Sequence, residues 1–164
     1  MRTLILSTLS VSLLSLAIGC GPGTQTTNDP PANNNDSHPH SHGDELFWQT
    51  ENLAHEDVTI SLGHHGTDVY SAHDTEPAVM IVRDGEPVGD AKVFVTMLSA
   101  DNEPIGEEQS TEYEPTTEEE PGHYAQAIFK VPAKVESITL RYRIEFSGDQ
   151  PEFTKDVPIA VESH

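Results

Sequence analysis

From Asp57 onward, apolar and polar residues alternate with a period of two, and turn residues punctuate the alternation at roughly ten-residue spacing. Val58, Ile60 and Leu62 alternate with Thr59 and Ser61, which predicts a half-buried strand. Ala78 to Val82 is apolar on both faces and predicts a central strand, ended by the turn pair Asp84-Gly85. Ala91 to Leu98 follows, rich in β-branched and aromatic residues. Tyr124 to Val131 is the next predicted strand, stopped by Pro132. His123 opens it in phase with Ala125, Ala127, Phe129 and Val131. Ile138, Leu140, Tyr142, Ile144 and Phe146 alternate with Thr139, Arg141, Arg143 and Glu145, giving one dry face and one charged face. Phe153, Lys155, Val157, Ile159 and Val161 make the last strand, which Pro158 marks as an edge. No stretch shows a capped helical repeat. The pattern predicts an all-β, immunoglobulin-like antiparallel β-sandwich of about seven strands over residues 46–164. Leu46-Phe47-Trp48 reads as a short strand or turn capping it. Asp101 to Glu120, with its Glu118-Glu119-Glu120 run, reads as a long irregular insert over one end, kept mobile by its own repulsion unless a cation or partner neutralises it.

The first forty-five residues read differently. Met1-Arg2-Thr3 is a short positive start, and Leu4 to Ile18 is an apolar run too short to span a bilayer, so residues 1–19 are predicted to be a signal peptide. Leu16-Ala17-Ile18-Gly19-Cys20 resembles the lipobox of bacterial lipoproteins, with Ala17 standing where that family prefers Leu. The resemblance implies cleavage before Cys20 and acylation of its thiol and new amino group. Two or three acyl chains anchor firmly, at about 0.8 kcal/mol per buried CH2. Gly21 in place of the Asp that retains such proteins in the inner membrane implies an outer-membrane anchor facing the periplasm. Residues 20–45 then form a polar tether with almost nothing to bury. As a flexible coil it would hold the domain ~30 Å from the anchor on average.

Composition narrows the function. The formal net charge is -20, from 28 acidic and 8 basic residues. That balance excludes nucleic acid and electrostatic adhesion to anionic lipid, and it concentrates cations near the surface. Cys20 is the sole cysteine, so no disulfide forms within one chain and folding rests on the apolar core. There is no Gly-x-Ser-x-Gly turn, no Gly-rich phosphate loop and no His-Glu-x-x-His helix, so the chain does not read as an enzyme.

Histidine is the informative side chain, with nine in the sequence. His38, His40 and His42 recur at alternate positions of the tether, with Asp44 beyond them, so several imidazoles can close on one ion. Neutral imidazole suits Zn2+, Cu2+ and Ni2+. Gly63-His64-His65-Gly66 places a second pair, read as a turn, with His55 before it, His73 after it and His123 as a further candidate. If Thr67 to Ala72 is extended, His65 and His73 lie about 26 Å apart and cannot share an ion. Met80 and Met97 are soft enough for Cu(I) but fall in apolar strands and read as core.

Asp90-Ala91-Lys92-Val93-Phe94-Val95-Thr96-Met97-Leu98 and Gly122-His123-Tyr124-Ala125-Gln126-Ala127-Ile128-Phe129-Lys130-Val131-Pro132 resemble the YtkA-like and FixH-like sandwich domains. The likeness covers roughly residues 76–146 and implies an immunoglobulin-like fold. The layout is also similar to small His-rich envelope lipoproteins associated with heavy-metal efflux. This resemblance implies a metal-binding or metal-delivery accessory whose partners are the membrane and an efflux-system or envelope protein. The expected function is a lipid-anchored envelope protein binding Zn, Cu or Ni, with the tether histidines as capture ligands and His64 and His65 as the receiving site. The alternative is a non-catalytic interaction sandwich on a lipid tether, presenting Trp48, Tyr113 and the acidic insert.

Overall fold

The computed structural model describes residues 45–163. Every regular element among them is a strand: β1 (Leu46–His55), β2 (Val58–His65), β3 (Val69–Tyr70), β4 (Asp74–Thr75), β5 (Pro77–Arg83), β6 (Glu86–Pro87), β7 (Lys92–Leu98), β8 (Gln109–Ser110), β9 (Glu112–Glu114), β10 (His123–Ala125), β11 (Phe129–Lys130), β12 (Ser137–Glu145) and β13 (Phe153–Glu162). Among the described residues no helix is long and apolar enough to cross a membrane.

The long strands form where apolar residues alternate, because a two-sided sheet with one dry face must bury it against another. One sheet runs β1-β2-β5-β10-β9, with β6 folded back on β5. The other runs β3-β13-β12-β7-β8, and β4 pairs separately with β11. The order β2-β5-β10-β9 across from β13-β12-β7-β8 is the A-B-E-D against G-F-C-C′ plan of an immunoglobulin-like sandwich. The predicted fold is borne out, and β1 is an addition outside that plan. One pairing departs from the antiparallel expectation: β3 runs parallel to β13, with Val69 beside Val161.

The two inner faces share one apolar cluster. Ile60, Leu62, Val79 and Ile81 come from the first sheet, and Val95, Ile138, Leu140, Ile144 and Ile159 from the second. Full burial of each such side chain contributes about 1.5–3 kcal/mol. Tyr142 crosses this cluster and donates its hydroxyl to the Gly63 carbonyl at 2.7 Å, tying β12 to β2. Gly63 is required for a second reason. A Cβ there would lie 2.0 Å from the Phe47 carbonyl oxygen, so only glycine lets β1 lie against β2. The outer face of β12 carries the predicted charges. Arg141 makes two hydrogen bonds to Asp156, at 2.7 and 2.8 Å. Arg143 clasps Glu108 at 3.0 and 2.7 Å, with its guanidinium 4.1 Å from the centre of the Phe94 ring.

Four expectations are corrected. The strand expected over Tyr124 to Val131 breaks at Gln126, whose φ of 72° no strand accommodates. β10 therefore stays in the first sheet while β11 crosses to β4, and the Gln109 side-chain amide clamps Ile128 between them at 2.8 and 3.3 Å. The break also reverses the phase. Tyr124 joins the core with Ala127, Phe129 and Val131, so His123 and Ala125 face the other way. Within the acidic insert, β8 and β9 pair into the two sheets. The Thr116 and Thr117 hydroxyls accept from the backbone of Gly122, Glu119 and Glu120, pinning the remainder. Thr67 to Ala72 is extended only over β3. The chain turns at Ala72 (φ 64°) and returns until the Glu76 carbonyl accepts from His65 N–H at 2.9 Å. Leu46 to Trp48, finally, opens a ten-residue edge strand rather than a capping turn. That strand slips register between Trp48 and Thr50 and again between Thr50 and Leu53, with Asn52 at φ 54°.

Replacing Gly63 with Ala is expected to cost about 1–3 kcal/mol of stability, read from a thermal or urea melt; an unchanged midpoint would mean β1 does not pack as described. Hydrogen bonds from Arg143 and Arg141 hold Glu108 and Asp156 below their ordinary values of 4.5 and 3.8. A depressed carboxylate stabilises the fold above its unfolded value and loses that contribution as pH falls through its folded one. Unfolding midpoints should therefore decline on acidification below about pH 4. The decline should be shallower in Arg143→Gln and in high salt.

Candidate functional site

β2 ends in Gly63-His64-His65, and the strand continues through both histidines, so they do not sit in the expected turn. Consecutive strand residues point to opposite faces. His64 shares the inward phase of Ile60 and Leu62 and is 1% exposed. Its ring lies 5.6 Å from that of Phe47, and its Nδ1–H donates to the His65 carbonyl at 3.2 Å. Burial pushes its pKa below the ordinary 6.5, which keeps the ring neutral. His65 shares the outward phase of Ser61 and Gly63. The predicted pair is thus split between two faces.

His65 meets a different partner. Its ring centre lies 5.4 Å from that of His123, at an interplanar angle of 50°. β5 runs between the strands that carry them and offers this face Ala78, Met80 and Val82, and the register sets the small Ala78 between the rows of His65 and His123. On the far side of β10, Glu114 of β9 stands directly opposite His123.

The hydrogen bonds around His123 fix its proton. Its Nδ1 lies 2.9 Å from the Pro121 carbonyl, which can only accept, so Nδ1 carries a hydrogen and Nε2 is the ring nitrogen left to face a partner. The side chain is 2% exposed, and Nε2 has no hydrogen-bond partner. What it faces is Glu114 Oε2, at 3.7 Å. The other oxygen of that carboxylate accepts from Gln126 Nε2 at 2.9 Å, which holds it in place. With the ring singly protonated at Nδ1, two electron-pair acceptors confront each other across a gap too long for a hydrogen bond. A positive centre between them, a proton or a metal ion, relieves the confrontation. Glu114 also forms one wall of an open depression of about 390 Å3 lined by Thr117, Glu118, Glu119 and Glu120, so the carboxylate run sits at the approach to His123.

The remaining candidates lie elsewhere. His55, at the opposite end of β1, donates Nε2–H to the Pro151 carbonyl at 2.9 Å and packs between Phe146 and Phe153, ring centres at 5.4 and 5.3 Å. His73 lies between β3 and β4, its ring 6.1 Å from that of Tyr70 and its carbonyl accepting from Val131 N–H. Cys20, His38, His40 and His42 lie outside the described residues. Among the described residues no three His, Cys, Asp or Glu side chains already surround an ion-sized position. His65 and Glu114 each approach His123, at 5.4 Å between ring centres and at 3.7 Å from Nε2. Glu114 is the member that sequence reading missed. Its signal is the alternation Glu112-Tyr113-Glu114, which turns the tyrosine in and both carboxylates out.

No family model matches this chain, and no curated protein or solved structure is found similar to it.

In the chelator-treated protein, long-range 1H–15N spectra near neutral pH should show His123 as the Nδ1–H tautomer. A doubly protonated ring would mean instead that a proton fills the gap to Glu114.

Proposed function

We propose that this chain is a lipid-anchored cell-envelope protein whose sandwich binds a divalent transition metal, Zn, Cu or Ni, through His65, His123 and Glu114. The observation that carries the reading is the buried Nε2 of His123, without a hydrogen-bond partner and facing a carboxylate oxygen at 3.7 Å. Backbone anchoring of the opposite ring nitrogen is the usual arrangement behind a ligating imidazole, because it fixes tautomer and orientation in advance. The surrounding acidity supports it further: Glu118, Glu119 and Glu120 raise the local cation concentration at the approach to the site. The tether histidines His38, His40 and His42 act as capture ligands that load this site. Cys20 supplies the anchor, through which the protein serves an efflux or envelope system as an accessory rather than as an enzyme.

A second reading rests on Phe47, a large apolar side chain standing 41% exposed on the edge strand β1. It favours a tethered interaction module without a metal.

Calorimetric titration of the protein with Zn2+, Cu2+ and Ni2+ near neutral pH separates the two. The metal reading expects saturable binding that weakens at least tenfold, about 1.4 kcal/mol, in His123→Gln and in Glu114→Gln. A variant with His38, His40 and His42 all replaced by Ala should retain the folded site. Binding lost in that variant yet unchanged in His123→Gln would place the ligands on the tether alone, and no binding at all would leave the interaction module.

A further inference from the structure

Gln126 holds a φ of 72°, in the left-handed region that glycine enters freely and that asparagine and aspartate tolerate. Its side chain is exposed, so no core packing forces it there. A backbone strained in this way persists where its surroundings over-determine it, and here two carboxylates do so. The Gln126 N–H donates to Glu76 Oε1 at 2.8 Å, and its side-chain amide donates to Glu114 Oε1 at 2.9 Å. Glu76 in turn accepts from His65 N–H on its backbone carbonyl. One residue, directly after β10, thus joins the segments that carry His65, His123 and Glu114. Its effect on Glu114 is to tell the two oxygens apart: Oε1 is occupied by the amide, and Oε2 is left facing His123 Nε2 at 3.7 Å. An ion about 2.0–2.1 Å from both atoms fits beside the line joining them, since twice that bond length exceeds the gap. The backbone of Glu114 is held as well. The ring of its neighbour Tyr113 fills the space left by Gly89 and Gly122, where a Cβ on either would collide with it.

We infer that Gln126 is a positioning residue of the metal site: by occupying Oε1 it makes Glu114 a one-oxygen ligand and so sets the coordination number of the ion. The inference rests on the metal-binding reading above and adds to it the residue that fixes its geometry. Two imidazoles and a single carboxylate oxygen leave a fourth position open on a tetrahedral ion. Released from the amide, the carboxylate is free to turn and to chelate through both oxygens, which crowds that shell. Glycine would hold the same φ with less strain, so what glutamine adds at this position is its amide.

The test uses the full-length protein with Cys20 alkylated and His38, His40 and His42 replaced by Ala, so that only the folded site takes metal. Zn2+ affinity is measured by calorimetry, and Co2+ serves as a spectroscopic probe, its visible bands being intense when four-coordinate and weak when six-coordinate. Gln126→Gly, Gln126→Asn and His123→Gln are compared with this parent. Glycine accepts the left-handed φ and keeps the N–H bonded to Glu76, so Gln126→Gly should melt no lower than the parent. Its Zn2+ affinity should nevertheless fall about tenfold or more, and its Co2+ bands should weaken. Gln126→Asn, which tolerates the same φ but carries an amide one methylene short, should bind as Gln126→Gly does. A lower melting point with unchanged Co2+ bands would make Gln126 a structural residue only and overturns the inference. Zn2+ affinity that falls in His123→Gln but in neither Gln126 variant also overturns it and leaves the metal site standing. Affinity that ignores His123→Gln as well overturns the site and the inference together.

Discussion

Two sheets that share no disulfide must be held at a fixed separation and register by side chains alone, and the contact between Tyr142 and Gly63 does this at a single point. The phenol spans the apolar layer, burial drives its pKa far above the ordinary value, and its hydroxyl finds the carbonyl of a residue that has no side chain. That missing side chain is what allows β1 to close over β2 on the other side. The strand so gripped continues directly into His64 and His65. Their opposite orientations are consequences of the same fixed register, one ring committed to the interior and the other to the outer face.

Strand alternation explains why the fold was legible and the site only partly so. Wherever one face of a strand is buried over several residues, as in β2, β7, β12 and β13, the period shows in the sequence. Two- and three-residue strands such as β8 and β9 carry too few inward positions to register a period, and the carboxylates of β9 disguise it as solvent-exposed loop. Gln126 is the more instructive case. Nothing in its residue type announces a positive φ, yet that one dihedral reverses the phase of everything after it. It separates His123 from the phase of Ala127, Phe129 and Val131, with which the sequence aligns it. The likeness of His64 and His65 in the sequence was equally misleading, since adjacency along a strand means separation across the sheet.

The proposed site has the qualities of a receiving position rather than a permanent store. Its imidazole is oriented by the backbone, its carboxylate by Gln126, and its approach by a run of glutamates, but no complete cage is built in advance. A site of this kind gains its last ligand or its last rotation on binding, which keeps exchange fast. Burial around it is asymmetric: the His123 ring is enclosed, while the Glu114 carboxylate stays partly open to the acidic depression.

β1 ends the first sheet, and an open sheet edge invites another strand to extend it. Here the ladder slips twice between Trp48 and Leu53, and Asn52 turns its backbone into the left-handed region to bond Ser61. A second copy laying its own strand along this edge would find no continuous row of donors and acceptors to match. The irregularity that makes β1 a poor strand thus keeps neighbouring molecules from polymerising edge to edge, however densely they are packed.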